Sequence, residues 1–307
     1  MRNITDIFII YSYIVHIKFT KDNRFHHSQG PKSFGPCGPL VPFVPLENRT
    51  IYKNDLKGAS KMKLGLQLYN FRKELKADFK GTLREIAKLG FDGVEFAGDY
   101  GNMQPQELAD FLEELHLECA GAMFSAEDMQ HAEGICYEYA RVLKSPAMTF
   151  SLMCNFTELH AEMSRQIKTA VINANANGCR FSYHNHWDDF LCKIDGEYAL
   201  EYMIREIDEP DLLLEPDVCW ITRGGHSPVQ FLLDHASSIR QVHLKDIKVP
   251  SEYNSLTELG NGVIDLKGSV AAARQTACQW LIYEQDLTEL TPMESAIISM
   301  KWLKGNL

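Results

Sequence analysis

From residue 63 onward, short apolar runs alternate with longer amphipathic stretches along the chain. Apolar runs of this length, bounded by polar turns, are typical of buried strands. The stretches between them repeat their apolar positions every three to four residues, which indicates helices that bury one face. The pattern predicts eight strands, at residues 64–69, 93–96, 118–123, 147–152, 180–186, 212–217, 240–245 and 280–284.

The clearest helices are predicted at residues 81–89, 105–115, 157–177 and 265–276. Pro105 suits a first helical position, and Gly90 and Gly178 suit positions just after a helix ends. The strand and helix unit repeats about every thirty residues, as in βαβ units, so eight units predict an α/β protein with a (β/α)8 TIM barrel. A doubly wound open sheet is the alternative, but no G-x-G-x-x-G turn follows the first strand.

The first 61 residues have a different character from the rest of the chain. They hold nine Lys and Arg against four Asp and Glu, and five of the twelve prolines lie between residues 31 and 45. The apolar run at residues 7–17 is shorter than the roughly 20 residues of a membrane span, and no A-x-A cleavage site, the mark of a signal peptide, follows it. We expect residues 1–61 to lie outside the fold, with Met62 as the true start and residues 62–307 as the barrel.

Charge and cysteine content restrict the function classes. Residues 62–307 hold 22 Lys and Arg against 37 Asp and Glu, a formal charge of −15 that disfavours binding to nucleic acid. The eight cysteines are scattered, without a C-x-x-C pair, which favours reduced thiols in the cytoplasm. The sequence is compatible with a homo-oligomer.

Polar residues stand at the ends of four strands that are otherwise apolar. Alternation along strand five places Ser182, His184 and His186 on one face, and Phe181 and Tyr183 on the other. On the next three strands the inward positions hold further polar residues: Asp217, His243, Lys245, Glu284 and Asp286. Since the carboxyl ends of barrel strands form the active-site mouth, we expect these side chains to converge.

Two histidines and two carboxylates in one pocket can bind a divalent cation such as Mn²⁺, Co²⁺, Zn²⁺ or Mg²⁺. The mixed nitrogen and oxygen donors do not select one of these metals. Each residue alone also has a structural explanation, because a single inward histidine often only fills the core and an Asp at a strand end often caps the next helix. Their shared level on successive strands favours the metal site.

Seven segments resemble the sugar phosphate isomerase/epimerase proteins of the xylose isomerase-like TIM barrel superfamily, over residues 62–303. They are KLGLQLYN (63–70), GFDGVEF (90–96), YHNH (183–186), PDVCW (216–220), HLKD (243–246), LGNGVI (259–264) and YEQD (283–286). The resemblance implies metal ligands at the ends of strands five to eight, at positions occupied here by His184, Asp217, His243 and Glu284.

Two positions depart from the pattern of these relatives. His184 stands where the metal-dependent ketose epimerases carry a glutamate, so their two-glutamate proton relay does not transfer directly. Asp189 replaces the glutamate of the usual HNHDFEF segment, and its shorter side chain leaves its role as ligand or substrate contact open.

A metal that chelates a carbonyl and its neighbouring hydroxyl acidifies the intervening C–H bond. Glu284 is the first candidate for the base and His186 the second. Lys245 either neutralises the enolate oxygen, binds a substrate anion, or forms an ion pair with Asp246 or Glu215. The same enediolate leads to epimerisation, aldose–ketose isomerisation or dehydration, and none requires an organic cofactor.

The remaining candidates are contacts to the carbohydrate substrate. Trp220 either stacks on a sugar ring or packs the barrel rim. Glu95 is expected to bind hydroxyl groups, and Gln67 either does the same or satisfies polar neighbours.

The sequence predicts a sugar isomerase or epimerase, with a dehydratase of the inosose type as the alternative. A barrel that binds sugar without turning it over is a further rival, because the fifth-strand glutamate is missing. The superfamily also includes an endonuclease for abasic DNA, which the negative charge argues against. No membrane partner is expected.

Overall fold

The computed structural model describes residues 62–307. Eight strands form one parallel sheet, and their bounds are β1 (Lys63–Gln67), β2 (Gly93–Ala97), β3 (Glu118–Met123), β4 (Met148–Ser151), β5 (Phe181–His184), β6 (Leu212–Glu215), β7 (Gln241–Leu244) and β8 (Trp280–Tyr283). Every predicted strand is confirmed. The expectation about residues 1–61 lies outside the described residues.

The sheet curls into a barrel in the order β6-β5-β4-β3-β2-β1-β8-β7. Bridges between the segments around β6 and β7 bring its two edges together. The backbone N–H of Leu214 donates to the carbonyl of Ser238 at 2.9 Å, and that of His243 donates to the carbonyl of Pro216 at 2.8 Å. Because parallel strands all end at the same rim, this arrangement is the predicted TIM barrel.

Helices surround the barrel on its outer face. Their bounds are α1 (Arg72–Ala77), α2 (Phe79–Ala87), α3 (Pro105–Glu114), α4 (Ala126–Met129), α5 (Ile135–Val142), α6 (Phe156–Ala176), α7 (Asp188–Leu191), α8 (Ala199–Ile207), α9 (Val218–Arg223), α10 (Pro228–Asp234), α11 (Leu266–Ala273) and α12 (Pro292–Asn306). Two short antiparallel pairs interrupt the alternation, Lys193–Ile194 with Glu197–Tyr198 and Asp246–Ile247 with Leu256–Thr257. None of the helices described within residues 62–307 has the length and hydropathy that a bilayer crossing requires.

Local sequence signals account for several helix ends. Gly90 and Gly178 have φ values of 88° and 70°, which glycine adopts at little cost after a helix. Pro105 is the first residue of α3. Asp78 caps α2, which therefore begins at Phe79, two residues before the predicted start.

The inside of the barrel is layered. Near the amino ends of the strands, Ala120, Trp280 and Ile282 form a small apolar cluster. Gly93 makes room for it, since a Cβ there would lie 2.8 Å from the Trp280 ring. Polar side chains fill the barrel above this cluster, so the carboxyl ends of the strands enclose a charged pocket rather than an apolar core.

Strands five and six end two residues earlier than predicted, at His184 and Glu215. The reason on strand six is that Asp217 serves as the N-cap of α9, and its Oδ1 accepts the backbone N–H groups of Cys219 and Trp220 at 2.9 and 3.0 Å. A single bridge still pairs Asp217 with His243. The side chain is therefore held at the rim by the helix that it caps.

Asp246 organises the long loop after β7. Its buried carboxylate accepts backbone N–H groups from four residues: Ile247, Gly260, Gly262 and Ile264. A Cβ at Gly262 would lie 2.1 Å from Asp246 Oδ1, so the close approach of the loop requires glycine there.

We predict that Asp246→Ala lowers the free energy of unfolding by about 3 kcal/mol or more, because buried N–H groups left without a partner cost about 1–3 kcal/mol each. Asp265→Ala is the matched control. Asp265 also accepts a backbone N–H, from Gly268 at 2.9 Å, but at an exposed helix start, where loss of the cap costs about 1 kcal/mol. Urea unfolding of both variants measures the difference, and equal losses would contradict the assigned role of Asp246.

Candidate active site

Four polar side chains converge where β5 to β8 end. His184 ends β5, Asp217 precedes α9, His243 lies on β7, and Glu284 follows β8. Each offers one ligand atom, and the four atoms all lie within 4.8 Å of one another. All four side chains are buried. The structure thus brings together the four residues that the sequence proposed as metal ligands, and we call them the ligand group.

His243 is the most heavily engaged member of the ligand group. Its Nδ1 lies 2.7 Å from Glu284 Oε2, and its Nε2 lies 2.6 Å from Glu95 Oε2 and 3.0 Å from Glu215 Oε1. Burial by itself lowers the pKa of His243, but these three carboxylates outweigh burial and raise the pKa well above its ordinary value. Both ring nitrogens of His243 therefore face carboxylate oxygens.

Lys245 offsets the negative charge of three carboxylates at the carboxyl ends of the strands. Its ammonium lies 3.0 Å from Glu284, and 3.2 Å from both Asp217 and Asp286. Burial lowers the pKa of Lys245, but the same three carboxylates outweigh it and raise the pKa well above its ordinary value. Of the alternatives for Lys245, the ion pair with Asp246 or Glu215 does not form: Asp246 accepts the loop amides instead, and Glu215 faces His184 and His243.

The donor set fits a divalent cation. The Oδ2 atom of Asp217 and the Nδ1 atom of His184 are buried and make no hydrogen bond within the described chain. The Lys245 ammonium lies 3.2 Å from Asp217 Oδ2, and Glu215 Oε1 lies 3.3 Å from His184 Nδ1. Buried polar atoms normally have hydrogen-bond partners, so these two atoms are suited to bind a cation.

His186 stands beside the ligand group and remains half-buried. Its Nδ1 has no hydrogen-bond partner among the described residues. Burial, reinforced by the nearby His184 ring, lowers the pKa of His186 well below its ordinary value. The imidazole is therefore neutral at pH 7 and able to accept a proton.

Aromatic side chains cover the same side of the mouth. The Trp220 ring stacks on Tyr253, with centroids 5.8 Å apart, and lies near His186 and Trp187. The Lys245 ammonium sits 4.3 Å from the Trp220 centroid, in cation–π geometry. Trp220 is completely buried, so its contacts are with the protein, as in the rim-packing alternative.

Glu95 and Gln67 lie next to the ligand group, on β2 and β1. Both are completely buried, and the Gln67 amide donates to Glu95 Oε2 at 2.7 Å. Burial and the neighbouring Glu215 raise the pKa of Glu95, and the contact with His243 opposes this rise. Gln67 satisfies polar neighbours, as one of its alternatives stated, and Glu95 contacts His243.

Asp189 is also completely buried, and both of its carboxylate oxygens have protein donors. The Tyr183 hydroxyl donates at 2.9 Å and the backbone N–H of His186 donates at 2.7 Å. Burial raises the pKa of Asp189 to about 8. These contacts give Asp189 the role of fixing the backbone that carries His186.

Sequence reasoning missed two contributors to the site. Glu215 faces both His184 and His243, and Asn185 Oδ1 accepts the backbone N–H of Asp217 at 3.0 Å. Alternation along β6 places Glu215 on the same face as Asp217, so a signal for Glu215 was present. No comparable signal marks Asn185, whose partner is 32 residues away.

Comparisons with known proteins agree with this architecture. Residues 83–305 match the family described as xylose isomerase-like TIM barrel. The chain belongs to this family. The resemblance inferred from the sequence motifs is thereby confirmed.

Individual relatives carry several names. An inosose dehydratase from Clostridium beijerinckii is 24% identical over 271 residues, which cover 74% of this chain and 89% of that protein. A sugar phosphate isomerase/epimerase from Parabacteroides distasonis has a TM-score of 0.67 at 16% identity and covers 85% of this chain and 98% of its own. A 3-keto-D-glucoside 4-epimerase from E. coli has a TM-score of 0.62 at 16% identity, covering 80% of this chain and 100% of its own. At these identities the solved structures support the fold alone.

Proposed function

We propose that this protein is a divalent-metal-dependent isomerase or epimerase that moves a proton next to the carbonyl group of a sugar, keto-sugar or sugar phosphate. The single observation that carries the proposal is the buried ligand group, with the Lys245 ammonium and the His186 imidazole beside it. His184, Asp217, His243 and Glu284 would hold the ion. When bound there, Mn²⁺, Co²⁺, Zn²⁺ or Mg²⁺ would supply Lewis acidity toward the substrate carbonyl and orient its neighbouring hydroxyl.

Glu284 is the proposed base. Burial raises its pKa, but Lys245 and His243 outweigh burial and hold the pKa of Glu284 well below its ordinary value, so the carboxylate is ionised at neutral pH. It would take the proton from the carbon beside the carbonyl, and the C–H electron pair would pass into an enediolate of the substrate. Lys245, 3.0 Å from Glu284, would stabilise the negative charge that develops on the substrate oxygen.

His186 is the proposed second acid–base group. A neutral imidazole with an unpaired Nδ1 can take up a proton and return it. Return to the opposite face of the same carbon gives an epimer, and return to the former carbonyl carbon gives the aldose–ketose isomer. The pair Glu284 and His186 would thus replace two carboxylates, in agreement with the histidine at position 184.

Dehydration is the second candidate, because the curated relatives include inosose dehydratases that match most of the barrel. In this reaction the enediolate expels the hydroxyl group on the next carbon, which leaves as water after protonation by His186 or Lys245. The residues and the first step are the same, and the product alone differs.

We also propose a reducing, cytoplasmic setting for the enzyme. All seven cysteines within the described residues are free thiols, and several are buried, which fits a compartment that keeps thiols reduced.

Deuterium uptake from heavy water tests for proton transfer next to a carbonyl. Purified protein with Mn²⁺ is incubated in heavy water with keto-sugars, inososes and sugar phosphates, and products are read by NMR and mass spectrometry. We expect deuterium beside the carbonyl for epimerisation, at the former carbonyl carbon for isomerisation, or loss of water for dehydration. Binding of a sugar without exchange, turnover or water loss would replace the proposal with the non-catalytic barrel.

A further inference from the structure

Two carboxylates lie next to the ligand group without belonging to it. Glu95 on β2 and Glu215 on β6 are completely buried and approach the Nε2 atom of His243, at 2.6 and 3.0 Å. The other ring nitrogen, Nδ1, faces Glu284 at 2.7 Å. The imidazole of His243 is therefore held between a pair of supporting carboxylates and the ligand group.

We propose that Glu95 is a positioning residue that accepts the Nε2–H of His243 and so keeps Nδ1 directed at the cation. The proposal rests on the metal-dependent function proposed above. It gives Glu95 a role in assembling the site in place of the substrate contact that its sequence position suggested.

The physical reason is that an imidazole has two nitrogens that can each carry the proton. A neutral ring binds a metal only through the nitrogen that lacks a proton, so a strong acceptor at one nitrogen directs the other one to the metal. Glu95 lies closer to Nε2 than Glu215 does, at 2.6 Å against 3.0 Å. Loss of Glu95 would leave the ring orientation and its protonated nitrogen less defined.

Glu95 is itself held rigidly. Gln67 Nε2 donates to its Oε2 at 2.7 Å, and Gln241 Nε2 donates to its Oε1 at 3.2 Å. Gly121 supplies the space, because a Cβ there would lie 1.9 Å from Glu95 Oε1 and 2.4 Å from the Gln241 amide. A carboxylate fixed by two amide donors is suited to orienting a third group.

A second ion is the competing explanation for these residues, since Glu95, Glu215 and His243 also offer ligand atoms within 4.8 Å of one another. Against it, both Glu95 oxygens already accept amide hydrogens, from Gln67 and Gln241, and His243 occupies the remaining short contact. An ion there would have to displace these donors. We therefore favour a supporting role for Glu95 and Glu215 at a single ion over a second ion-binding site.

The test compares Mn²⁺ binding by the full chain and by its Glu95→Leu and Glu95→Gln variants. Metal-free protein is titrated while free Mn²⁺ is measured by electron paramagnetic resonance. We expect Glu95→Leu to raise the Kd by about 10–100-fold, the usual cost of losing a partner of a metal-ligating histidine. Glu95→Gln should recover most of the affinity, because its amide oxygen can still accept the Nε2–H.

A spectroscopic readout separates positioning from a general effect on folding. In Zn²⁺-loaded protein, ¹H–¹⁵N correlations should show a proton on Nε2 of His243 in the wild type and in Glu95→Gln, and a lost or exchanging signal in Glu95→Leu. Glu258→Leu is the control, since it removes a buried carboxylate that accepts hydrogen bonds from residues outside the ligand group: Thr257, Ser295, Gln285 and Thr288.

Gly121→Ala keeps the proposal testable if Glu95→Leu does not fold, because it displaces the Glu95 carboxylate without removing it. This variant should also weaken Mn²⁺ binding. Equal affinity and an unchanged Nε2–H signal in Glu95→Leu would overturn the positioning role, as would two ions in the wild type with one lost on substitution. A wild type that binds no divalent ion would overturn the proposed function and this proposal together, whereas normal binding by wild type and Glu95→Leu alike would overturn this proposal alone.

Discussion

Glu284→Gln is expected to lower kcat/KM by about 10³–10⁴-fold. General acid–base groups typically contribute about 10²–10⁴ in rate, and this variant also removes one negative charge from the ligand group. The substitution preserves the size of the side chain, which lies in contact with His243 and Lys245, so the fold should remain. The measurement is steady-state kinetics at saturating Mn²⁺ with the substrate that the isotope screen identifies.

Glu258→Gln is a matched control for this experiment. Glu258 and Glu284 are equally buried, each 8% exposed, but Glu258 accepts hydrogen bonds from residues outside the ligand group: Thr257, Ser295, Gln285 and Thr288. Its kcat/KM should stay within about threefold of the wild type. If Glu284→Gln were as active as the control at full metal occupancy, the base would have to be another group, and His186→Asn would be the next variant to measure.

Much of the fold and of the ligand group follows from two periodicities. Apolar runs about thirty residues apart indicate βαβ units, and alternation within a strand assigns each side chain to the inside or the outside of a barrel. This reasoning needs only local sequence, since His184 and Tyr183 must point to opposite faces of β5. It succeeds because the carboxyl ends of all eight strands meet at one rim.

The same two periodicities do not predict which inward-facing side chains contact each other inside the barrel. Glu95 and Glu215 point inward by alternation, yet nothing local states that Glu95 would contact His243, 148 residues away. That contact depends on how far each strand slides along its neighbour, and a register shift between Val94 and Glu95 changes the pairing of β2 with β3. Glu95, which was predicted to bind substrate hydroxyl groups, contacts His243 instead.

A loop that is distant in sequence covers Trp220 and explains why its ring is buried. Its sequence position, three residues after Asp217, is compatible with an exposed stacking platform. The structure places Tyr253 against it, from a loop bounded by the antiparallel pair Asp246–Ile247 and Leu256–Thr257. Two-residue strands leave almost no sequence pattern, so neither the loop nor its cover over Trp220 could be predicted.

Asp217→Asn is expected to weaken divalent-ion binding by more than about 100-fold while leaving the fold intact. Asp217 uses Oδ1 to cap α9 through Cys219 and Trp220, and its Oδ2 is the atom left for a cation. In the variant the cap favours the amide oxygen at the Oδ1 position, which places the NH₂ group where Oδ2 was. An NH₂ group donates hydrogen bonds and offers no lone pair to a cation.

The measurement is metal content per barrel after dialysis, with the Kd for Mn²⁺ and the melting temperature. His243→Ala should also remove the ion, but it leaves Glu95, Glu215 and Glu284 buried without their imidazole partner, and is therefore expected to melt much earlier. Asp188→Asn is the control and should keep its ion, because Asp188 begins helix α7 after β5 and is not a member of the ligand group. The contrast between an intact fold in Asp217→Asn and an unstable one in His243→Ala follows from their different neighbours. Full occupancy in both variants would mean that the ligands lie elsewhere.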